Sequence, residues 1–215
     1  MLTLSEIATR HPAGSRVLHR HGLDFCCGGR RSFDDACAER GLVADAILEE
    51  IEREDAGASP AGWEERPLGD IVAHLVGFYH HRLRDELPLL VAMATRVENR
   101  HGDKPECPHG LADHLAGMHE AVLEHLAKEE RILFPLILSG RGAQAGAPIH
   151  VMEIEHEDHR ANLLEIRRLT DGLVPPAPAC TTWRALYLRL ADFERELMEH
   201  IHLENNVLFT RALLS

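Results

Sequence analysis

HLAKEERILF, from His125 to Phe134, and HIHLENNVLF, from His200 to Phe209, share one pattern: His-x-x-x-Glu-x-x-(Ile/Val)-Leu-Phe. On an α-helix, residues four apart lie on one face, one turn above each other. His125 with Glu129, and His200 with Glu204, therefore each point an imidazole and a carboxylate the same way. One such pair is ordinarily a solvated face, since Glu is common on exposed helices. Two copies, both set among apolar residues of helical period, point instead to metal ligands. Paired helices bearing nitrogen and oxygen donors are how a helical bundle encloses two ions.

Composition sets the limits. The chain has 215 residues, room for one medium domain and a small one. No apolar run reaches the roughly 18 residues of a membrane span, and no secretory leader is visible at the N-terminus, so the expected location is cytoplasmic. With 35 acidic against 23 basic residues the formal charge is −12, which speaks against nucleic acid as a partner. Sixteen histidines are the unusual count. Five cysteines, an odd number without a leader, do not suggest a disulfide framework.

The expected fold class is all-α. Residues 1–56 read as a small domain of short helices. Thr3 and Glu6 form a capping-box start, Gly22 closes a second helix, Ser32 caps a third, and Ala44 to Asp55 forms a fourth. Residues 57–66, GASPAGWEER, read as a linker. Residues 67–215 then hold four long helices: Pro67 to about Asn99 with a kink at Pro88, Leu111 to about Leu138 disturbed at Pro135, Ile149 to about Thr170, and Thr182 to about Leu213. Short breaks between them predict an up-down-up-down bundle. No run alternates with the period of a strand.

Two of these helices supply a His and a Glu each, so the other two are expected to supply the remaining imidazoles. His80 and His156 share a local pattern, each four residues before an arginine (Arg84, Arg160) and seven before a leucine (Leu87, Leu163). They are the first choices, with His81 and His159 second. His81 is turned well away from His80, so the two cannot face one core. His74, His101, His109, His114, His119 and His202 are read as surface or satisfied core residues. Four imidazoles and two carboxylates suit iron, manganese or zinc. Six ligands shared by two ions leave open positions, which favours iron over the closed four-coordinate sites of structural zinc.

With these residues in view, the whole chain resembles the bacterial repair-of-iron-centres family of di-iron proteins. DFCCGG, Asp24 to Gly29, looks like the family's vicinal-cysteine signature. KEERILFPLI, MEIEHEDH, ACTTW and HIHLENNVLF look like its hemerythrin-like bundle. The resemblance implies two iron ions in an oxo- and carboxylate-bridged centre, with His80, His125, His156 and His200 as nitrogen ligands and Glu129 and Glu204 as bridges. It also implies repair of iron–sulfur clusters damaged by oxidative or nitrosative stress, through iron donation to apo or damaged iron–sulfur proteins. Alternatives from other classes are a di-iron reductase of nitric oxide or peroxide and, less favoured by the symmetric ligand set, an oxygen carrier or sensor.

Cys26 and Cys27 are expected to take part in iron transfer or redox chemistry. Adjacent thiolates are good ligands for soft or borderline metals. Gly28 and Gly29 are expected to present both sulfurs outward, and Arg30 and Arg31 to lower their pKa, on a mobile arm that receives, delivers or gates iron. Cys37, Cys107 and Cys180 have no partners at useful spacing and receive no role.

Overall fold

The computed structural model describes residues 2–56 and 62–215. The stretch 57–61, half of the expected linker, lies outside the described residues. The described residues are helical throughout, apart from turns and an isolated bridge between Thr3 and Ser32. The helices fall into two compact units: Met1–Ala73 with Leu136–Gly146 and Met198–Ser215, and His74–Pro135 with Ala147–Leu197.

In the first unit, α1 (Leu4–Arg10), α2 (Gly14–Arg20), α3 (Phe33–Glu39) and α4 (Ala44–Asp55) follow the expected order. Thr3 closes a reciprocal capping box with Glu6, and Ser32 caps α3 through the Asp35 amide. Three of the four helices have only seven residues, too short to persist alone. Their order comes from a shared core of Leu4, Ile7, Val17, Leu18, Phe25, Phe33 and Ile51, against which Met198 also packs. Burying side chains of this size stabilises by about 1.5–3 kcal/mol each.

Four longer helical runs complete the chain: α5 (residues 68–101), α6 (residues 111–138), α7 (Gly146–Leu169) and α8 (residues 181–212). The third begins three residues before the expected Ile149. Pro148 falls in its first turn, where a missing amide proton costs nothing. Pro88 is carried inside α5, as expected.

Each run has one buried stripe, and the candidate residues lie on it. In α5, His80 is followed by buried Leu83, Leu87, Leu90, Ala94 and Val97. In α6, Leu115, Met118 and Val122 lead to His125 and Glu129. In α7, Met152 precedes His156, His159, Leu163 and Ile166, and in α8 Leu190, Phe193 and Leu197 precede His200 and Glu204. These steps of three and four residues are the period of a core-facing helix. Histidine and glutamate thus occupy positions where the pattern calls for Leu or Ile.

Three runs are interrupted by π-helical turns, at Leu75–His80, Glu129–Leu133 and Glu204–Leu208. Each turn ends or begins on a candidate ligand. A π-turn inserts an extra residue into the ladder and commonly marks a functional position.

Candidate metal centre

In the unit formed by His74–Pro135 and Ala147–Leu197, Glu129 is the pivot. Its side chain is fully buried, as are His80 and His156, and His125 is 2% exposed. Glu129 Oε2 lies 3.5 Å from His80 Nε2, and Oε1 lies 3.5 Å from His125 Nε2. One carboxylate thus turns a separate oxygen toward each of two imidazoles. His156 Nε2 lies 3.1 Å from His125 Nε2. Separations of 3.1–3.5 Å are the spacing of donors that share an ion at about 2.0–2.2 Å from each.

The tautomers follow from the outer partners. His80 Nδ1 donates to Glu130 Oε1 at 2.7 Å, and Arg84 donates to the same oxygen at 2.8 Å. His125 Nδ1 donates to Glu155 Oε2 at 2.9 Å, and Lys128 Nζ donates to Glu155 Oε1 at 2.5 Å. A carboxylate only accepts, so each imidazole carries its proton on Nδ1 and turns the Nε2 lone pair inward. This is the carboxylate–histidine arrangement that orients metal-bound imidazoles. Burial pushes the Glu130 carboxyl up, but the hydrogen bonds from His80 and Arg84 outweigh it and hold the group below the usual carboxylate range. Lys128 is held above its usual value by its bonds to Glu155 and Glu124.

The other unit holds the second copy of the pattern. His200 Nε2 lies 3.0 Å from Glu204 Oε1; the imidazole is 1% exposed and the carboxylate fully buried. Two imidazole nitrogens or carboxylate oxygens facing one another in an apolar interior is costly without compensation. A divalent or trivalent cation would supply it, and the donor set fits iron. Of the second-choice residues, His81 is exposed, whereas His159 is buried with its ring 4.9 Å from that of His125.

The cysteine pair departs from expectation. The glycines do not turn both sulfurs outward: Cys26 is 1% exposed, and only Cys27 is partly accessible. Gly28 and Gly29 serve close packing instead. A Cβ on Gly29 would stand 2.6 Å from the Phe25 carbonyl oxygen and 2.8 Å from Ser5. Nor do the arginines lower the Cys26 pKa. The hydrogen bond with Cys27, burial and the charge of Asp24 push it well above the usual thiol value, while Arg31 pairs with Glu39. The two thiols form no disulfide with each other, their sulfurs lying 3.8 Å apart, and the Cys26 thiol donates to Asp24 at 3.3 Å.

Within the same unit, the loop is tied to the helix that carries Glu204. Asn206 Nδ2 donates to the Cys26 carbonyl at 3.0 Å, and His202 Nδ1 donates to the Phe25 carbonyl at 3.1 Å. Burial lowers the His202 pKa to about 4, so the ring is neutral, and its Nε2 lies 3.1 Å from the Thr9 hydroxyl. His202 is thus a satisfied core residue, as expected, with a loop-holding task added.

Against known proteins, residues 72–212 match the hemerythrin HHE cation binding domain, and residues 2–55 match a domain of unknown function, DUF542. The iron-sulfur cluster repair proteins YtfE of Pectobacterium atrosepticum and Dickeya chrysanthemi are each 46% identical to the chain, and that of Yersinia pseudotuberculosis is 43% identical. Each of these alignments covers 98% of this chain and 96% of the relative. The chain belongs to the iron–sulfur cluster repair family. This family membership accounts for the hemerythrin-like helices and for the His and Glu groups that suit a cation.

Sequence reasoning on this family member missed Glu130, Glu155, Arg84 and Lys128, the residues that orient His80 and His125. A signal existed for two of them. Glu130 adjoins Glu129, and Arg84 lies one turn beyond His80. Pairing Glu155 with His125 required the fold. Among the described residues, no helix is long and apolar enough to cross a membrane.

Proposed function

We propose that the protein is a non-haem di-iron protein that restores damaged iron–sulfur clusters by supplying iron. The six ligands are His80, His125, Glu129, His156, His200 and Glu204. Two ions would be held by these residues, through His80 on one side of Glu129 and through His125 and His156 on the other, with the two carboxylates shared. The two-sided geometry of Glu129 carries the di-iron reading, because a buried carboxylate with one oxygen toward each of two imidazoles is built to bridge. The names of the relatives support the repair role.

Bound iron supplies Lewis acidity and one-electron redox chemistry, and six shared ligands leave coordination positions open. The protein's own residues do the rest. Glu130 and Glu155 hold the Nδ1 protons of His80 and His125, which keeps each Nε2 available as a ligand. Arg84 and Lys128 offset the charge of those carboxylates. The apolar stripes on either side exclude water from the polar band.

Cys26 and Cys27 form the exit gate for iron. In the closed loop, Cys26 is shut away with its proton on, and His202 and Asn206 hold the loop to α8. Opening the loop exposes two thiols that become soft ligands on losing their protons. The damaged or apo iron–sulfur protein is the recipient.

Iron transfer from the anaerobically loaded protein to an apo iron–sulfur protein, against a chelator control, tests this reading. The double substitution Cys26→Ser/Cys27→Ser is expected to keep the bound iron and slow its delivery. Undiminished delivery by that variant would remove the cysteines from the mechanism. Steady nitric oxide turnover with a reductant, without iron delivery, would replace donation by reductive chemistry.

A further inference from the structure

Away from the histidine–carboxylate residues, the unit formed by His74–Pro135 and Ala147–Leu197 holds a second reactive pair. Cys180 and His101 are distant in sequence, yet the Cys180 thiol lies 3.2 Å from His101 Nε2. Both line a cavity of about 710 Å³, within the range of small-molecule sites. Its walls also carry Arg96, Arg100, Asn99 and Thr182. Neither guanidinium forms an ion pair with a carboxylate among the described residues, unlike Arg82, Arg167 and Arg189 of the same unit.

The pair is held in place from both sides. His101 stacks at 5.3 Å on Trp183, which is fully buried. Cys180 directly precedes α8, and its carbonyl accepts the first helical hydrogen bond, from the Arg184 amide at 3.0 Å. The Arg184 side chain donates to the carbonyls of Ala179 and Ala177, fixing the approach to the helix. Cys180 itself is partly exposed, so a molecule in the cavity can reach its sulfur.

We propose that Cys180 is a thiol–disulfide exchange site for small anionic disulfides of the glutathione class, with His101 as its base and Arg96 and Arg100 as the carboxylate-binding groups. The Cys180 sulfur attacks one sulfur of the disulfide. The disulfide bond breaks as the new Cys180 sulfur–sulfur bond forms. Cys180 is oxidised, the departing sulfur is reduced, and the thiol proton passes through His101 Nε2 to the departing thiolate. The two guanidiniums match carboxylates in a way that neutral or cationic disulfides cannot use.

The test treats the full-length protein with glutathione disulfide, neutral hydroxyethyl disulfide and cationic cystamine, and maps adducts by peptide mass spectrometry. Cys180 is expected to react before Cys26, Cys27, Cys37 and Cys107, and fastest with glutathione disulfide. His101→Gln is expected to slow all three reagents about tenfold or more. Arg96→Gln with Arg100→Gln, both at exposed positions, is expected to abolish the preference for the anionic reagent, with the larger loss of rate falling on glutathione disulfide. Equal rates with the three reagents, a preference that survives loss of both arginines, or a Cys180 rate indifferent to His101→Gln would overturn the proposal. The outcome is independent of the iron reading, since none of these residues belongs to it.

Discussion

The two copies of the repeated pattern carry the same His and Glu residues and have opposite surroundings. Residues His125–Phe134 and His200–Phe209 each place His and Glu one turn apart on a buried stripe, and each begins a π-turn on the Glu. Outside that stripe they diverge. The first copy has Lys128 and Glu130, which join a charged network behind His125 and His80. The second has Leu203 and Asn205 at those places, with Leu203 buried. Where the first has Ala127 and Arg131, the second has His202 and Asn206, which grip the carbonyls of Phe25 and Cys26. The ligand spacing is thus a fixed part. The outer face of each helix is free to do separate work, tuning imidazoles in one copy and latching the cysteine loop in the other.

If the copies are equivalent as ligands, removing either carboxylate has the largest effect. Glu129→Leu and Glu204→Leu are each expected to lose nearly all bound iron while keeping helical circular dichroism, because an apolar side chain in an apolar interior carries no desolvation cost. Metal analysis of anaerobically purified protein reads this, and full retention of iron by one variant would break the equivalence.

The outer faces predict smaller and unequal effects. Glu130→Gln and Glu155→Gln replace the charged acceptors that fix the Nδ1 protons of His80 and His125 by neutral amides, and are expected to weaken iron binding about 10- to 100-fold in chelator competition. Asn206→Ala is expected to leave iron affinity unchanged. It should cost about 1–3 kcal/mol of stability, the cost of stranding buried carbonyls, and speed labelling of Cys26 by a thiol reagent. Arg131→Ala, at the matching place in the first copy, is exposed and should stay within about 0.5 kcal/mol of the parent. Lys128→Met is expected to weaken iron affinity by less than about tenfold. The side chain is 35% exposed, so solvent screens its pairing with Glu155.

Much of this was legible in the sequence, because helical periodicity is a strong local signal. The helix order, the capping of α1 and α3, and the burial of all six candidate residues follow from spacing alone. So does the separation of buried His80 from exposed His81. What escaped reading depends on long-range packing. The π-turns leave the residue pattern unchanged, so nothing in the spacing announces them. Glu155 reaches His125, and His101 reaches Cys180, only after the chain has folded back on itself. The cysteine loop was misread because glycine suggests freedom, whereas here Gly29 admits a close approach of backbone to Phe25 and Ser5. The hydrogen bond with Cys27, burial and Asp24 then decide the state of the Cys26 thiol, with the neighbouring arginines engaged elsewhere or exposed.

On the proposed reading, Glu129 stands between two iron ions. Anomalous diffraction at the iron edge, on crystals of the anaerobically purified protein, tests this directly. Two iron peaks are expected, one on the His80 side of Glu129 and one on the side of His125 and His156. A single peak, or iron located away from Glu129 in protein loaded to two equivalents, would contradict it.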